Sequence, residues 1–372
     1  MAGIYIHIPF CRTRCSYCDF CSVAVGKTRG EREDYVEALC QELQERKTYL
    51  QGHSIETIYF GGGTPSQLSA KHFEKIFETL AAVYPALAPC EITLEANPDD
   101  LTPEYLDSLK KLPFNRISLG VQSLNDAELR FLNRRHDASS AVRAVRLCRE
   151  KGFENISIDL MYGLPNQTLK SWQSTLRQAV GLDVQHLSAY HLTYEEGTPL
   201  FDRLQQEIVH SIDEDLSVAL FETLIDVLTG AGFEQYEISN FARSGYSSRH
   251  NSGYWNGAPY LGIGASAHSY NGESRQWNKK IPGAEYKTYG IEMEILDEKA
   301  LFNDFIITRL RTMKGIDLRE LQTLFGEQKK ACCLQQANKH LSNQLLKIKN
   351  SHLQLTQKGI FVSDRIMSDL LL

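Results

Sequence analysis

The sequence predicts an α/β protein, a TIM-like (βα)6 barrel followed by a small, winged-helix-like helical domain. Three observations predict it. Short apolar or β-branched runs alternate with amphipathic stretches through the first half of the 372 residues, polar or glycine signals recur at the C-terminal end of the runs, and the pattern turns helical from Lys299 onward.

Strands are expected at Ile4–Ile8, Thr57–Phe60, Glu91–Leu94, Arg116–Leu119, Ser157–Leu160 and Leu187–His191. Between them Glu31–Leu50, Lys71–Val83, Pro103–Lys111, Ala138–Glu150 and Leu169–Val180 carry helical periodicity. Spacings of about 25 to 50 residues between strands suit right-handed βαβ units, and so a parallel sheet. The strand ends lead into Gly61-Gly62-Gly63-Thr64-Pro65, Glu95, Gln122, Asp159 and Thr193. Taken singly these are turns and helix caps, but in register they mark the face on which βα barrels gather their active sites. After Pro199 the alternation weakens. A helix near Ile212–Leu228, a turn at Gly230-Ala231-Gly232 and a strand at Tyr236–Ile238 precede a loop-rich stretch, Asn240 to Tyr270, whose Gly, Ser, Tyr and Trp read as a capping or binding region. Helices at Phe302–Thr312, Leu318–Phe325 and Ala331–Leu346, a hairpin at Leu353–Phe361 and a final helix complete the chain. The expected domains are residues 1–290 and 291–372.

Hydrophobic residues make up 42% and charged residues 23% of the chain, an ordinary globular composition that excludes disordered and fibrous classes. A formal charge of −6 leaves no global field for polyanions, so nucleic acid is not an expected partner. The first residues carry no basic segment and their apolar run is broken by His7 and Pro9, while no stretch approaches the roughly 20 apolar residues of a membrane span. The expected location is the cytoplasm. Nine cysteines without a secretion signal point to metal or redox use and away from a disulfide framework.

Cys11, Cys15 and Cys18 form a CxxxCxxC pattern on the loop after the first strand, and Cys21 lies just beyond. Three thiols suit a 4Fe-4S cubane that keeps one iron open for substrate or cofactor, whereas a structural zinc site wants four protein ligands. Zinc with Cys21 or His7 as fourth ligand, and a buried cysteine group without function, are the alternatives.

With Tyr17, Gly61–Pro65, Glu95, Gly120-Val121-Gln122 and Asp159, these cysteines resemble the radical S-adenosylmethionine (SAM) enzymes. More narrowly, Tyr5–Cys11, Gly163-Leu164-Pro165 and the C-terminal helices resemble the oxygen-independent coproporphyrinogen III oxidase group, and Cys18-Asp19-Phe20 with His250–Trp255 resemble its heme chaperone (HemW) branch. The resemblance spans essentially the whole chain. It implies a partial (βα)6 barrel in which Cys11, Cys15 and Cys18 hold the cluster, and a one-electron reduction that splits SAM to a 5′-deoxyadenosyl radical. It places Tyr5, Gly63, Thr64, Glu95, Gln122, Arg134, Asp159 and Thr193 against SAM, with Asp159 on the ribose hydroxyls, and the Gly262–Ala265 turn nearby. Arg134 has the plainer reading of a surface charge.

Two departures separate the chain from the oxidase. The oxidase has a cysteine where this chain has Phe20, and it carries an N-terminal extension over the substrate where this chain has ten residues before Cys11. The implied function is therefore a heme chaperone that binds heme, the cluster and SAM, takes electrons from a donor, and delivers heme to an acceptor such as a respiratory hemoprotein. The alternative is the oxidase itself, decarboxylating coproporphyrinogen III. His250, on a loop rich in Tyr and Trp, is the candidate heme ligand, with His7, His191, His268 and Cys21 as further candidates. No catalytic residue is assigned.

Overall fold

The protein is described by a computed structural model covering residues 2–24, 30–50, 52–84, 90–279 and 290–372. Six parallel strands form the expected arc: β1 (Ala2–Ile8), β2 (Ile55–Gly62), β3 (Glu91–Ala96), β4 (Arg116–Gln122), β5 (Asn155–Tyr162) and β6 (His186–His191), neighbours in chain order. Helices α1 (Glu31–Glu45), α2 (Ala70–Val83), α3 (Pro103–Leu109), α4 (Ala138–Glu150) and α5 (Leu169–Gly181) lie between successive strands. Period-two patterning assigns the two faces. Ile4, Ile6 and Ile8, Ile58 and Phe60, Ile117 and Leu119, and Ile158 and Leu160 are fully buried in one core with Leu39, Phe73, Ile76, Val145, Trp172 and Leu176 of the helices. The alternate positions line the interior, where the register sets Tyr5 beside Tyr59, Glu95 beside Ser118 and Asp159 beside Ser188.

The arc stays open. On one side β6 pairs antiparallel with Asn240–Ala242, which pairs with Glu234–Gln235. On the other, β1 pairs in parallel with β7 (Tyr260–Ile263), and β8 (His268–Tyr270), β9 (Ser274–Asn278) and β10 (Ile291–Ile295) continue the sheet antiparallel.

The strand expected at Tyr236–Ile238 is a turn built on buried Glu237, whose carboxylate accepts from Ser239 N at 2.9 Å and Arg311 Nε at 3.0 Å. The helix before it, α6 (Glu214–Gly230), falls close to expectation. The stretch from Asn240 to Tyr270 is not a loop. It contains α7 (Arg249–Trp255), β7 and β8, because tertiary partners hold elements too short for local periodicity to reveal. Thus the Glu91 carboxylate accepts the backbone N–H groups of Arg249 and His250, each at 3.1 Å, an anion at a helix N-terminus, while Ser248 Oγ caps Asn251 N.

The C-terminal helices are α8 (Glu298–Leu310) and α9 (Leu318–Ser342), the latter broken at Gly326, where φ is 82°. The hairpin begins earlier than expected, at Leu346–Lys349 and His352–Leu355, and its turn residues Asn350 and Ser351 have φ of 50° and 62°, the sign that a type I′ turn requires. Ile316–Asp317 adds a third strand, and two short helices, α10 (Gln357–Ile360) and α11 (Ser363–Asp369), end the chain.

A buried ion pair fastens α1 to the β7–β9 side. Arg46 Nη1 donates to Glu42 Oε1 at 3.1 Å and to the Gly262 carbonyl at 2.8 Å, and its Nη2 donates to Ser269 Oγ at 3.0 Å. Glu42, fully buried, also accepts from Gly264 N at 3.0 Å and Asn278 Nδ2 at 2.7 Å. Arg46→Met strands that carboxylate and is expected to lower the unfolding free energy by about 3–5 kcal/mol in urea titrations. The double variant Glu42→Leu/Arg46→Met should recover part of the loss.

Candidate functional site

A cavity of about 330 Å³ opens at the C-terminal ends of the strands. It is lined by Cys11, Cys15 and Cys18 together with Gly63, Thr64, Glu95, Gln122, Arg134, Asp159 and Thr193. Residues as far apart in sequence as Cys11 and Thr193 thus share one wall, as strand ends gathered on one face require. Cys11 Sγ lies 3.5 Å from Thr64 Oγ1. Arg134 is no surface charge: its Nη1 donates to Cys15 Sγ at 3.2 Å, and its Nη2 to Asn97 Oδ1 and the Gly120 carbonyl, each at 2.6 Å. Its Nε is buried without a protein partner. A guanidinium against the thiols offsets the negative charge that iron–sulfur ligation brings.

The glycine run packs against the chain itself. Gly62 has φ of 111°, and a Cβ there would stand 2.6 Å from the His7 ring; on Gly63 it would meet the Pro9 carbonyl carbon at 2.8 Å. Gln122, a non-glycine residue, holds φ of 66° beside an irregularity in the β4–β5 register. Such an outlier at a cavity wall is a mark of a constrained site.

Burial raises the thiols of Cys11 and Cys18, the latter to about 11, with the neighbouring cysteines adding to the Cys18 shift, so metal must displace their protons. Burial likewise pushes the Glu95 carboxyl up to about 7, against the hydrogen bond that Tyr59 donates at 2.6 Å and with the help of Asp159. Asp159 is raised by burial too. Among the described residues no three His, Cys, Asp or Glu side chains converge where one metal ion would sit. Three thiols that each bind a different iron need no such point. The donor set, the adjoining guanidinium and the unpartnered Arg134 Nε therefore fit a cluster with a small polar cofactor beside it.

Tyr5 and His250 are not part of this cavity. Tyr5 is tied to His7 Nδ1 through its hydroxyl at 3.2 Å and lines a second cavity of about 770 Å³ between the barrel and the C-terminal helices. His250 is buried at the opposite end of the barrel, with Nδ1 2.8 Å from Thr57 Oγ1 and Nε2 2.8 Å from the Tyr254 hydroxyl. Burial lowers its pKa to about 3, and the ring is neutral. It is Tyr254 that lines the second cavity, with Trp255, Tyr260, Phe305, Leu324 and Phe325 among its walls and Arg275 and Arg309 beside them. Of the other candidates, His7, His268 and Cys21 line this cavity and His191 lines the first. The Gly262–Ala265 turn reaches neither, being held by Glu42, Asn278 and Tyr35.

The radical SAM superfamily pattern matches residues 5–179, and the HemN C-terminal domain pattern matches residues 296–362. The heme chaperone HemW of Mycobacterium tuberculosis is 32% identical over 378 residues, which cover 99% of this chain and 94% of that one. The chain belongs to the HemW family of radical SAM proteins. HemW of Escherichia coli is 40% identical over 72% of this chain and 69% of its own. The solved structure of coproporphyrinogen III oxidase (HemN) from Escherichia coli shares the fold, with a TM-score of 0.84 at 24% identity over 99% of this chain and 89% of that one. In this HemW-family chain, no helix among the described residues is long and apolar enough to cross a membrane.

Several lining residues escaped the sequence reading. Asn97, which receives Arg134, follows Glu95 by two positions just past the same strand, and Tyr190 lies one residue before the end of β6; nearness to a strand end was the available signal. Tyr254, one helical turn after His250, carried the i,i+4 spacing that puts two side chains on one face.

Folded Glu95 keeps its proton up to about pH 7, whereas the free side chain loses it near 4.5. The folded state binds more protons inside that window, so stability falls as pH rises through it. The chain is expected to lose on the order of 3 kcal/mol across the window relative to Glu95→Gln, measured as unfolding free energy at a series of pH values.

Proposed function

We propose that this chain is a heme chaperone: it holds a 4Fe-4S cluster and SAM in the first cavity and heme in the second, and passes heme to an acceptor hemoprotein, a respiratory one, in the cytoplasm. The observation that carries the reading is the second cavity, whose size falls in the range of cofactor pockets and whose aromatic walls suit a flat macrocycle. Cys11, Cys15 and Cys18 would each bind one iron and leave the fourth for SAM, while Arg134 balances the thiolate charge. Glu95, Gln122, Thr193 and the Gly63-Thr64 backbone would hold SAM, with Asp159 on its ribose hydroxyls. When bound and reduced by an external donor, this pair supplies one-electron chemistry.

For heme, the Tyr254 hydroxyl is the group at the cavity wall, and His250 acts behind it. With its proton on Nδ1, toward Thr57 Oγ1, the neutral imidazole would accept the Tyr254 O–H at Nε2 and orient the phenol toward a bound heme iron. Arg275 and Arg309, at the cavity wall, would be the cations to pair with propionates.

Alanine at Cys11, Cys15 or Cys18 should abolish the visible absorption and bound iron of the anaerobically reconstituted protein, while Cys21→Ala retains both. Four irons per chain in all three single variants would refute the ligand set. Hemin should bind one per chain, Tyr254→Phe should weaken it roughly tenfold with an altered ferric spectrum, and His250→Ala should weaken it less while sparing SAM. The functional test incubates cluster-loaded protein with SAM, a strong reductant and coproporphyrinogen III, and separately mixes heme-loaded protein with an apo-hemoprotein. Heme transfer without tetrapyrrole turnover is expected; protoporphyrinogen by mass spectrometry would make the protein an oxidase.

A further inference from the structure

The two cavities touch the same short strip of chain. Cys18, Asp19, Phe20 and Ser22 line the first, and Phe20 and Cys21 line the second. Among the described residues, Phe20 alone is common to both linings. Its backbone surroundings are anchored on either side. Arg14 Nη2 donates to the Cys18 carbonyl at 3.4 Å, and the Cys21 carbonyl lies 2.7 Å from His7 Nε2, a ring that itself touches the second cavity. Yet the Phe20 side chain is 63% exposed, among the most exposed large apolar groups of the described residues.

Phe20 is thus largely exposed to solvent although it borders both cavities. We infer that Phe20 is the element that couples the two ligand sites, a mobile shared wall that either ligand orders for the other. The inference rests on the assignment of heme to the second cavity. A ligand in one cavity packs on the ring, removes it from solvent and restricts its rotamers. A ligand entering the other cavity then meets a wall already in place and does not bear the ordering cost again, so the coupling is positive. By linkage the factor is the same in both directions: SAM tightens heme as much as heme tightens SAM. For a carrier this makes heme retention depend on occupancy of the cluster-side cavity, and loss of SAM favours release.

The test uses the full chain with its cluster loaded and kept oxidised, so that no SAM is consumed. Hemin is titrated by absorbance with and without saturating SAM, and SAM by calorimetry with and without hemin. The wild-type chain is expected to show a ratio of roughly fivefold, equal in the two directions. In Phe20→Ala the single-ligand affinities weaken together and the ratio falls below about twofold, while Phe20→Leu, which keeps an apolar wall, restores part of it. Removal of so exposed a side chain should leave the melting temperature nearly unchanged, which separates the effect from misfolding. A wild-type ratio near one or below one, or a ratio that survives in Phe20→Ala, overturns the inference and leaves the heme reading intact. Failure of the wild-type chain to take up hemin at all overturns both.

Discussion

Charge buried inside an open barrel is the constraint on which the rest of this molecule depends. Arg116 is 1% exposed, and the carboxyl groups of Glu95, Asp159 and Glu91 and the neutral ring of His250 share the interior with it. None of these groups can be left dry and unpaired without a cost of several kcal/mol. At one end the structure answers with α7, whose first backbone N–H groups take the Glu91 carboxylate and whose His250 is held between Thr57 and Tyr254. At the other end there is no plug. Glu95, Asp159 and the guanidinium of Arg134 instead face a cavity, where a polar ligand can complete what the protein leaves open.

The first strand serves both sites because its residues alternate. Ile4, Ile6 and Ile8 pack outward into the core, Tyr5 and His7 border the second cavity, and the chain runs from the strand's end straight into the cysteine loop. The Glu42–Arg46 pair clamps α1 to the β7–β9 side of the sheet, so the walls of both cavities are referred to one rigid frame. Against that frame the exposed Phe20 is the soft element, the place where adaptation between the sites costs least.

The chain shares the oxidase fold while matching it at 24% of positions. Backbone similarity over nearly the whole chain shows a shared architecture, and it does not assign chemistry.

Much of this was legible in the residues. Period-two strands, helical stretches between them and polar residues at strand ends are local patterns, so the sequence determined the parallel arc and the strand-end residues Gly63, Thr64, Glu95, Gln122, Asp159 and Thr193 that line the first cavity, while the cysteine spacing marked the triad and only the family resemblance pointed to Arg134. Local pattern could not reveal α7, because its start depends on a carboxylate 157 and more positions away, nor the turn at Glu237, which rests on Arg311. For the same reason it does not show that Tyr5 lines the second cavity or that His250 is hydrogen-bonded to Thr57 and Tyr254. Which side of a strand faces which cavity, and whether an imidazole is free or already satisfied on both nitrogens, is decided by packing between distant segments, and only the tertiary structure supplies those partners.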